Sequence, residues 1–259
     1  FVFVTGVSRF SKISLFSDMN HLNDISLDRA FSTICGITEK ELHDNFRPEI
    51  GALAEAHHLS YEETLAHLKQ RYDGYLFIEN GEHVYNPFSL LNAFSKKDFR
   101  DYWFQSGTPT FLVNYLKKAH YYLPDLENNV EIDMSSLNNY KANLGSPIPI
   151  LYQAGYLTLK GYNRRSGLCT LGYPNNEVKI GLIRNLLPSY SNLDSAQVQR
   201  FVWQFYEKVC KGNVAAFMQD ISDLLERIPY SSESKDDVKW REQNYQIAVA
   251  LIFQFMGMY

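Results

Sequence analysis

The sequence has no cysteine pair in a C-x-x-C arrangement; Cys35, Cys169 and Cys210 stand far apart. An odd, scattered set fits a reducing compartment and excludes a structural zinc built on cysteine pairs. No apolar run approaches the ~18 residues of a membrane-spanning helix, and no transit or lipidation signal is present, so the expectation is a cytoplasmic protein with no membrane partner. There is no G-x-S-x-G elbow to support a hydrolytic triad. There is also little net charge, −4 over 259 residues, which argues against a general nucleic-acid or membrane coat but leaves room for local basic patches. Internal repeats and low-complexity tracts are absent.

What the chain does have is apolar and aromatic mass. With 45% hydrophobic and 15% aromatic residues, it can bury one large or two medium cores, and disorder is not indicated. It opens on Phe1, Val2, Phe3 and Val4, the continuous apolar, β-favouring run of a strand buried in a parallel sheet. Thr5-Gly6 breaks that run, and Ser8, Arg9, Ser11 and Lys12 follow at once, at the kind of strand end where α/β sheets bind ligands.

Helices dominate downstream. Thr38 with Glu41, and Ser60 with Glu63, have capping-box spacing. Behind the second box, Leu65, Leu68 and Tyr72 share one helical face. Residues 75–78, a Gly81 turn and residues 83–85 read as a small hairpin. Asn86-Pro87 starts a further helix carrying Phe88, Leu91 and Phe94, and another is expected over 110–119. The stretch "SPIPILYQAGYLTLKGYNRRSGLCTLGYPNNEVKIGLIRNLL" reads helix, strand, turn, strand, helix. Tyr156, Thr158 and Lys160 alternate with Leu157 and Leu159, and Asn175 or Asn176 can cap the last helix with Glu177 in its first turn. That order sketches a winged-helix unit over about 145–188, the two strands forming the wing. From Ser195 onward the chain reads as helical, with a joint at Gly212 and a polar linker "PYSSESKDD". The expected fold class is mostly α (α+β).

The quoted segments resemble a bacterial family of AAA-ATPase-like proteins with a C-terminal PD-(D/E)XK nuclease-like domain. "FVFVTGVSRFSKISLFSDMNHLNDISLDRAFSTICGITEKEL" is similar to the end of that family's ATPase core, "QAGYLTLKGY" and "GYPNNEVKIGL" to its middle region, and "REQNYQIAVALIFQFMGMY" to the first helix of its nuclease-like domain. The family's phosphate loop, G-x-x-x-x-G-K-[ST], is nowhere in the sequence, and neither is its nuclease motif. The resemblance therefore implies a fragment lying between two catalytic centres. Residues 1–37 would be an ATPase-core remnant, 38–190 a helical lid containing the winged-helix-like unit, and 191–259 the approach to a nuclease-like domain. ATP and Mg are implied for the intact parent only, and the missing ATPase core and nuclease-like domain are the implied partners.

By resemblance, Thr5 falls where a strand-end group senses a nucleotide's γ-phosphate, with Ser8, Arg9 and Lys12 beside it and the cations offsetting phosphate charge. The bland reading of that loop is a solvated turn. Between Gly155 and Arg184 the chain carries Lys160, Arg164, Arg165, Lys179 and Arg184 against Glu177 alone, a patch suited to nucleic-acid phosphates, although winged-helix units also serve as protein–protein lids. His57 and His58 suggest a metal, but adjacent helical side chains point about 100° apart, so no metal site is assigned. Glu242 is the helical carboxylate that could approach a nuclease metal, but Gln246 stands after Tyr245 where the family favours histidine. Finally, residues 247–259 contain one plainly polar side chain, Gln254. A helix apolar all round belongs in a core, so Phe253, Phe255, Met256 and Met258 are not expected all to find cover on "RFVWQFYEKVC", leaving an apolar face open or buried against a second copy.

Overall fold

A computed structural model describes residues 25, 27–106, 110–138, 146–228 and 235–257. The opening strand, Phe1 to Val4, lies outside the described residues. Among the described residues the fold is mostly helical with two small antiparallel sheets, the α+β class expected. The chain divides into two compact units, 1–106 with 126–179, and 107–125 with 180–259.

The first unit begins with strand β1 (Ile37–Thr38), followed by α1 (Glu39–Asn45), α2 (Arg47–His57) and α3 (Tyr61–Tyr72). Both capping boxes form. Thr38 Oγ1 accepts the Glu41 amide at 3.2 Å while Glu41 accepts the Thr38 amide at 2.9 Å. Ser60 and Glu63 repeat the exchange at 3.2 and 2.8 Å. These bonds satisfy amides that a helix start otherwise leaves without acceptors. Helix α2 ends at His58, which takes the left-handed conformation, φ 55°.

The expected hairpin is reduced to one bridge, Tyr75 to Val84. Strand β2 (Val84–Tyr85) instead pairs antiparallel with β1, Ile37 opposite Tyr85. Helix α4 (Pro87–Lys96) starts as read, with Asn86 Oδ1 accepting the Ser89 amide at 3.2 Å. Leu42, Ile50, Leu53, Leu68, Tyr72 and Leu90 form the heart of this helical core.

The same unit holds a three-stranded sheet. Strand β3 (Val130–Asp133) leads through the short helices α6 (Met134–Asn138) and α7 (Ile148–Gln153) to β4 (Thr158–Asn163) and β5 (Leu168–Gly172); α5 (Thr110–Lys118) belongs to the second unit. The spatial order is β3-β5-β4, antiparallel throughout. The "NRRSG" turn closes β4 onto β5, with Gly167 at φ +73°. The period-2 reading of 156–160 does not hold. Tyr156, Leu157, Thr158 and Leu159 are all buried, because the Thr158 hydroxyl is engaged rather than solvated: it accepts the Leu76 amide at 2.8 Å and donates to the Leu76 carbonyl at 3.0 Å. Pairing then slips between Leu159 and Gly161, which leaves Lys160 as the extra residue of a β-bulge.

In the second unit, α5 (Thr110–Lys118) joins the later turns of α8 (Asn176–Ser191), with α9 (Ser195–Cys210), α10 (Val214–Arg227) and α11 (Lys235–Met256). Asp194 and Asn213 cap α9 and α10, and Gly212, φ +66°, makes the turn between them. Helix α11 packs on α9 around Phe205, whose ring lies 4.6 Å from Phe217 and 6.4 Å from Phe253. Phe255 and Met256 are buried and Phe253 is 47% exposed. Met258 lies outside the described residues. An apolar hollow of about 410 Å³ opens beside Leu225, Tyr245 and Val249, so part of an apolar face is uncovered, as the pattern of 247–257 implied.

Candidate functional site

Of the five cations between Gly155 and Arg184, two are paired with carboxylates. Arg164, in the turn between β4 and β5, is paired with Glu79 at 3.1 Å. Arg165 is exposed beside it. Lys179 is paired with Glu127 at 2.9 Å. Arg184 belongs to the second unit, its guanidinium 5.6 Å from the Phe255 ring centroid. Carboxylates distant in sequence have met two of the charges that a local count leaves open.

Lys160 and Lys179 instead meet in a cleft of about 450 Å³ that lies wholly within the first unit. Its walls are the C-terminal end of α3, the residues around His83, the turn leading into β3, the β4 bulge, and the segment entering α8. The bulge places Lys160 here. Its Nζ comes to 3.5 Å from the Pro174 carbonyl, and bulges characteristically re-aim a side chain in this way. Lys160 is solvent-accessible, yet the protein packed around its ammonium holds it below the ordinary lysine range, with Asp73 pulling the other way. Lys69, also on the cleft, is paired with Glu39 at 3.0 Å.

Asp73 follows the last turn of α3 and is 7% exposed; no hydrogen-bond donor reaches its Oδ1. Burial raises its carboxyl above the ordinary aspartate value, opposed by the Gly74 amide, His83 and Lys69. Across the cleft, Asn175 is 8% exposed. Its Oδ1 accepts the Val178 amide at 3.1 Å, the cap expected from the sequence, while its Nδ2 has no partner. Gly74 lets these walls approach: it sits at φ +107°, and a Cβ there would lie 2.1 Å from the Pro174 carbonyl oxygen.

Glu177, expected only to favour the start of α8 electrostatically, is fully buried. It accepts the backbone amides of Tyr102 at 2.6 Å and Trp103 at 3.0 Å. Burial raises its carboxyl above the ordinary value, opposed by the Ser89 hydroxyl and the two amides. Neither this role nor those of Asp73 and His83 carried a local sequence signal. Each comes from residues tens of positions apart, whereas Asn175 was legible as a cap.

Thr5, Ser8, Arg9 and Lys12 lie outside the described residues. Among the described residues no group of three or more histidine, cysteine or acidic side chains is placed to hold a metal. His57 Nε2 is 3.1 Å from the Lys97 carbonyl and 3.6 Å from Asp98. Glu242 is exposed on α11, where the neighbouring Tyr245 and Gln246 line the apolar hollow. No described helix is long and apolar enough to cross a membrane.

Over 261 aligned residues, the whole of this chain, the sequence is 34% identical to a protein of Azotobacter chroococcum mcd 1 that carries the name "Uncharacterized protein in vnfD 5'region". The chain spans about half the length of that curated relative, 48%. No protein-family model matches the chain, and no solved structure matches it.

Proposed function

We propose that this chain is a non-catalytic lid and linker within a longer AAA-ATPase-like protein, where it couples nucleotide binding to a PD-(D/E)XK nuclease-like domain. The sequence resemblance supports the family, and the full-length match to a relative about twice as long supports a place inside a larger protein. The absence of G-x-x-x-x-G-K-[ST] from the sequence assigns ATP and Mg to the parent, not to residues of this chain. The parent's ATPase core and nuclease-like domain are the proposed partners, with a second copy able to cover α11, and the scattered cysteines favour the cytoplasm.

A DNA-binding winged-helix module is the second reading. The order β3-α6-α7-β4-β5, with strands arranged β3-β5-β4, and the exposed Arg165 favour it. The lid reading is carried by the composition of α7, the helix that precedes the wing. It reads Ile-Pro-Ile-Leu-Tyr-Gln, has no charged residue, and buries Ile148, Ile150 and Leu151. A helix that reads a groove needs cations and polar side chains facing out.

Fluorescence anisotropy with a short duplex at low salt separates the two. The lid reading expects no saturable binding. Saturable binding whose salt slope flattens by about two when Arg164 and Arg165 are both replaced by alanine would transfer the assignment to the DNA module. In the longer protein, Glu79→Ala with Arg164→Ala should leave ATP binding intact and change the dependence of DNA cleavage on ATP; unchanged coupling would count against a lid.

A further inference from the structure

We propose that the cleft between the end of α3 and the start of α8 is a binding site for a small phosphate-type oxyanion, held by Lys160, Asn175 and the Asn176 amide at the start of α8. The inference is independent of the lid reading.

Three donors belong to residues that line this cleft, and each lacks, among the described residues, the partner that its neighbours have. The first is the helix start. In α8, a helix of 16 residues, the Val178 amide is taken by Asn175 Oδ1 and the Lys179 amide by the Asn175 carbonyl. The Asn176 amide, on the cleft wall, has no intrahelical acceptor, and the helix dipole favours negative charge at this end. The second is Asn175 Nδ2, on a side chain more than nine-tenths buried and lining the cleft, with no acceptor. A buried amide left without a partner is costly, and a bound oxygen would supply the acceptor. The third is Lys160. The lysines Lys69 and Lys179 on the same walls are each held by a carboxylate at about 3 Å. Lys160 makes no such ion pair among the described residues and reaches only the Pro174 carbonyl, at 3.5 Å. A β-bulge has placed it on the cleft wall.

The opposite wall selects among anions. Asp73 Oδ1 is buried and receives no hydrogen bond, so the ligand should present a hydroxyl as well as oxyanion oxygens. Monohydrogen phosphate, or a phosphate monoester carrying an alcohol nearby, offers both: its P–O oxygens accept from Lys160 Nζ, Asn175 Nδ2 and the Asn176 amide, and its O–H donates to Asp73. Sulfate and chloride offer no such donor. A polyanion fits poorly, because Glu127 also lines the cleft and Arg164 is occupied by Glu79.

The test is isothermal titration calorimetry of the whole chain at constant ionic strength, with inorganic phosphate, with adenosine 5′-monophosphate, and with sulfate. Expected is saturable, one-to-one phosphate binding with a dissociation constant below about 1 mM, and sulfate weaker. Tighter binding of the nucleotide than of phosphate identifies a phosphate monoester as the source; equal or weaker binding identifies the free ion. Lys160→Met should weaken phosphate binding at least about tenfold, as expected for losing a charge-assisted hydrogen bond. Asn175→Asp keeps an acceptor for the Val178 amide, so α8 stays capped, but it replaces the partnerless donor with a carboxylate and should abolish phosphate binding with no loss of melting temperature. No saturation up to 20-fold above ~1 mM phosphate, affinity unchanged in both variants, or equal binding of sulfate and phosphate would overturn the proposal. A duplex DNA that displaces phosphate from the wild type but not from Arg164→Ala would also overturn it, in favour of a nucleic-acid groove.

Discussion

Glu177 accepts the Tyr102 backbone amide at 2.6 Å across 75 residues of sequence. With the second bond, from Trp103, it ties the turn after α4 to the first turn of α8 inside one unit. A carboxylate buried this deeply is held by its hydrogen bonds rather than by an ion pair. Glu177→Ala strands both amides and should lower stability by about 2–4 kcal/mol, measured by urea denaturation. Glu177→Gln keeps an acceptor oxygen and should cost less.

The same residue makes stability depend on pH in a stated direction. Its folded-state pKa is raised above the ordinary 4.5, so the folded protein holds that proton more tightly than the unfolded chain does. The stability linked to this proton is complete below the ordinary value and is lost as pH rises through the folded value. Asp73, also raised, acts with the same sign. Melting temperatures of wild type and Glu177→Gln compared from pH 4 upward should diverge, wild type losing ground as pH rises. Parallel curves would show that the buried carboxyl titrates no differently from an exposed one.

Gly74 and Gly167 both take positive φ but differ in their surroundings. At Gly74 an added Cβ meets the Pro174 carbonyl oxygen at 2.1 Å, while at Gly167 it meets nothing within 4 Å. Alanine at Gly167 should cost about 1 kcal/mol, the backbone penalty alone. Alanine at Gly74 should cost about 3 kcal/mol or more, since either the backbone or the start of α8 has to move. Equal losses would mean that the close approach of Gly74 to Pro174 is not maintained in solution.

The capping boxes allow a clean local measurement. Ser60→Ala removes the acceptor for the Glu63 amide without touching the core and should cost about 1 kcal/mol. Thr38→Ala should cost at least as much, because Thr38 is buried and also pairs with Val84 in the small sheet. By contrast Arg164→Ala, Glu79→Ala and their double-mutant cycle should show a coupling under about 1 kcal/mol, as Arg164 is 75% exposed.

In the second unit, Phe205 and Phe253 touch one another but stand in opposite circumstances, one 1% and the other 47% exposed. Phe205→Ala should destabilise by about 3–5 kcal/mol. Phe253→Ser should leave the melting temperature within a few degrees. It should also reduce self-association in static light scattering if the uncovered apolar surface around α11 is what brings copies together. Unchanged scattering would remove α11 as an interface between copies.

What the sequence determined by itself is local. The helix starts at Thr38, Ser60, Asn86 and Asn175 were legible because a cap and the amides it serves lie within three residues. The paired strands β4 and β5 were legible from their turn chemistry, and the incomplete cover of the last helix from its all-round apolar pattern. Tertiary structure alone decided how separated groups would meet. The hairpin over 75–85 gave way because β1, some 47 residues upstream, offered Val84 and Tyr85 a partner strand. The alternation at 156–160 failed because both faces of β4 are covered and the Thr158 hydroxyl found the Leu76 backbone. Two of the counted cations are paired, because charge counted along a chain ignores Glu79 and Glu127, which folding brings to Arg164 and Lys179. Lys160 differs: a one-residue slip between paired strands, set by no short motif, leaves it near the Pro174 carbonyl without a carboxylate ion pair among the described residues.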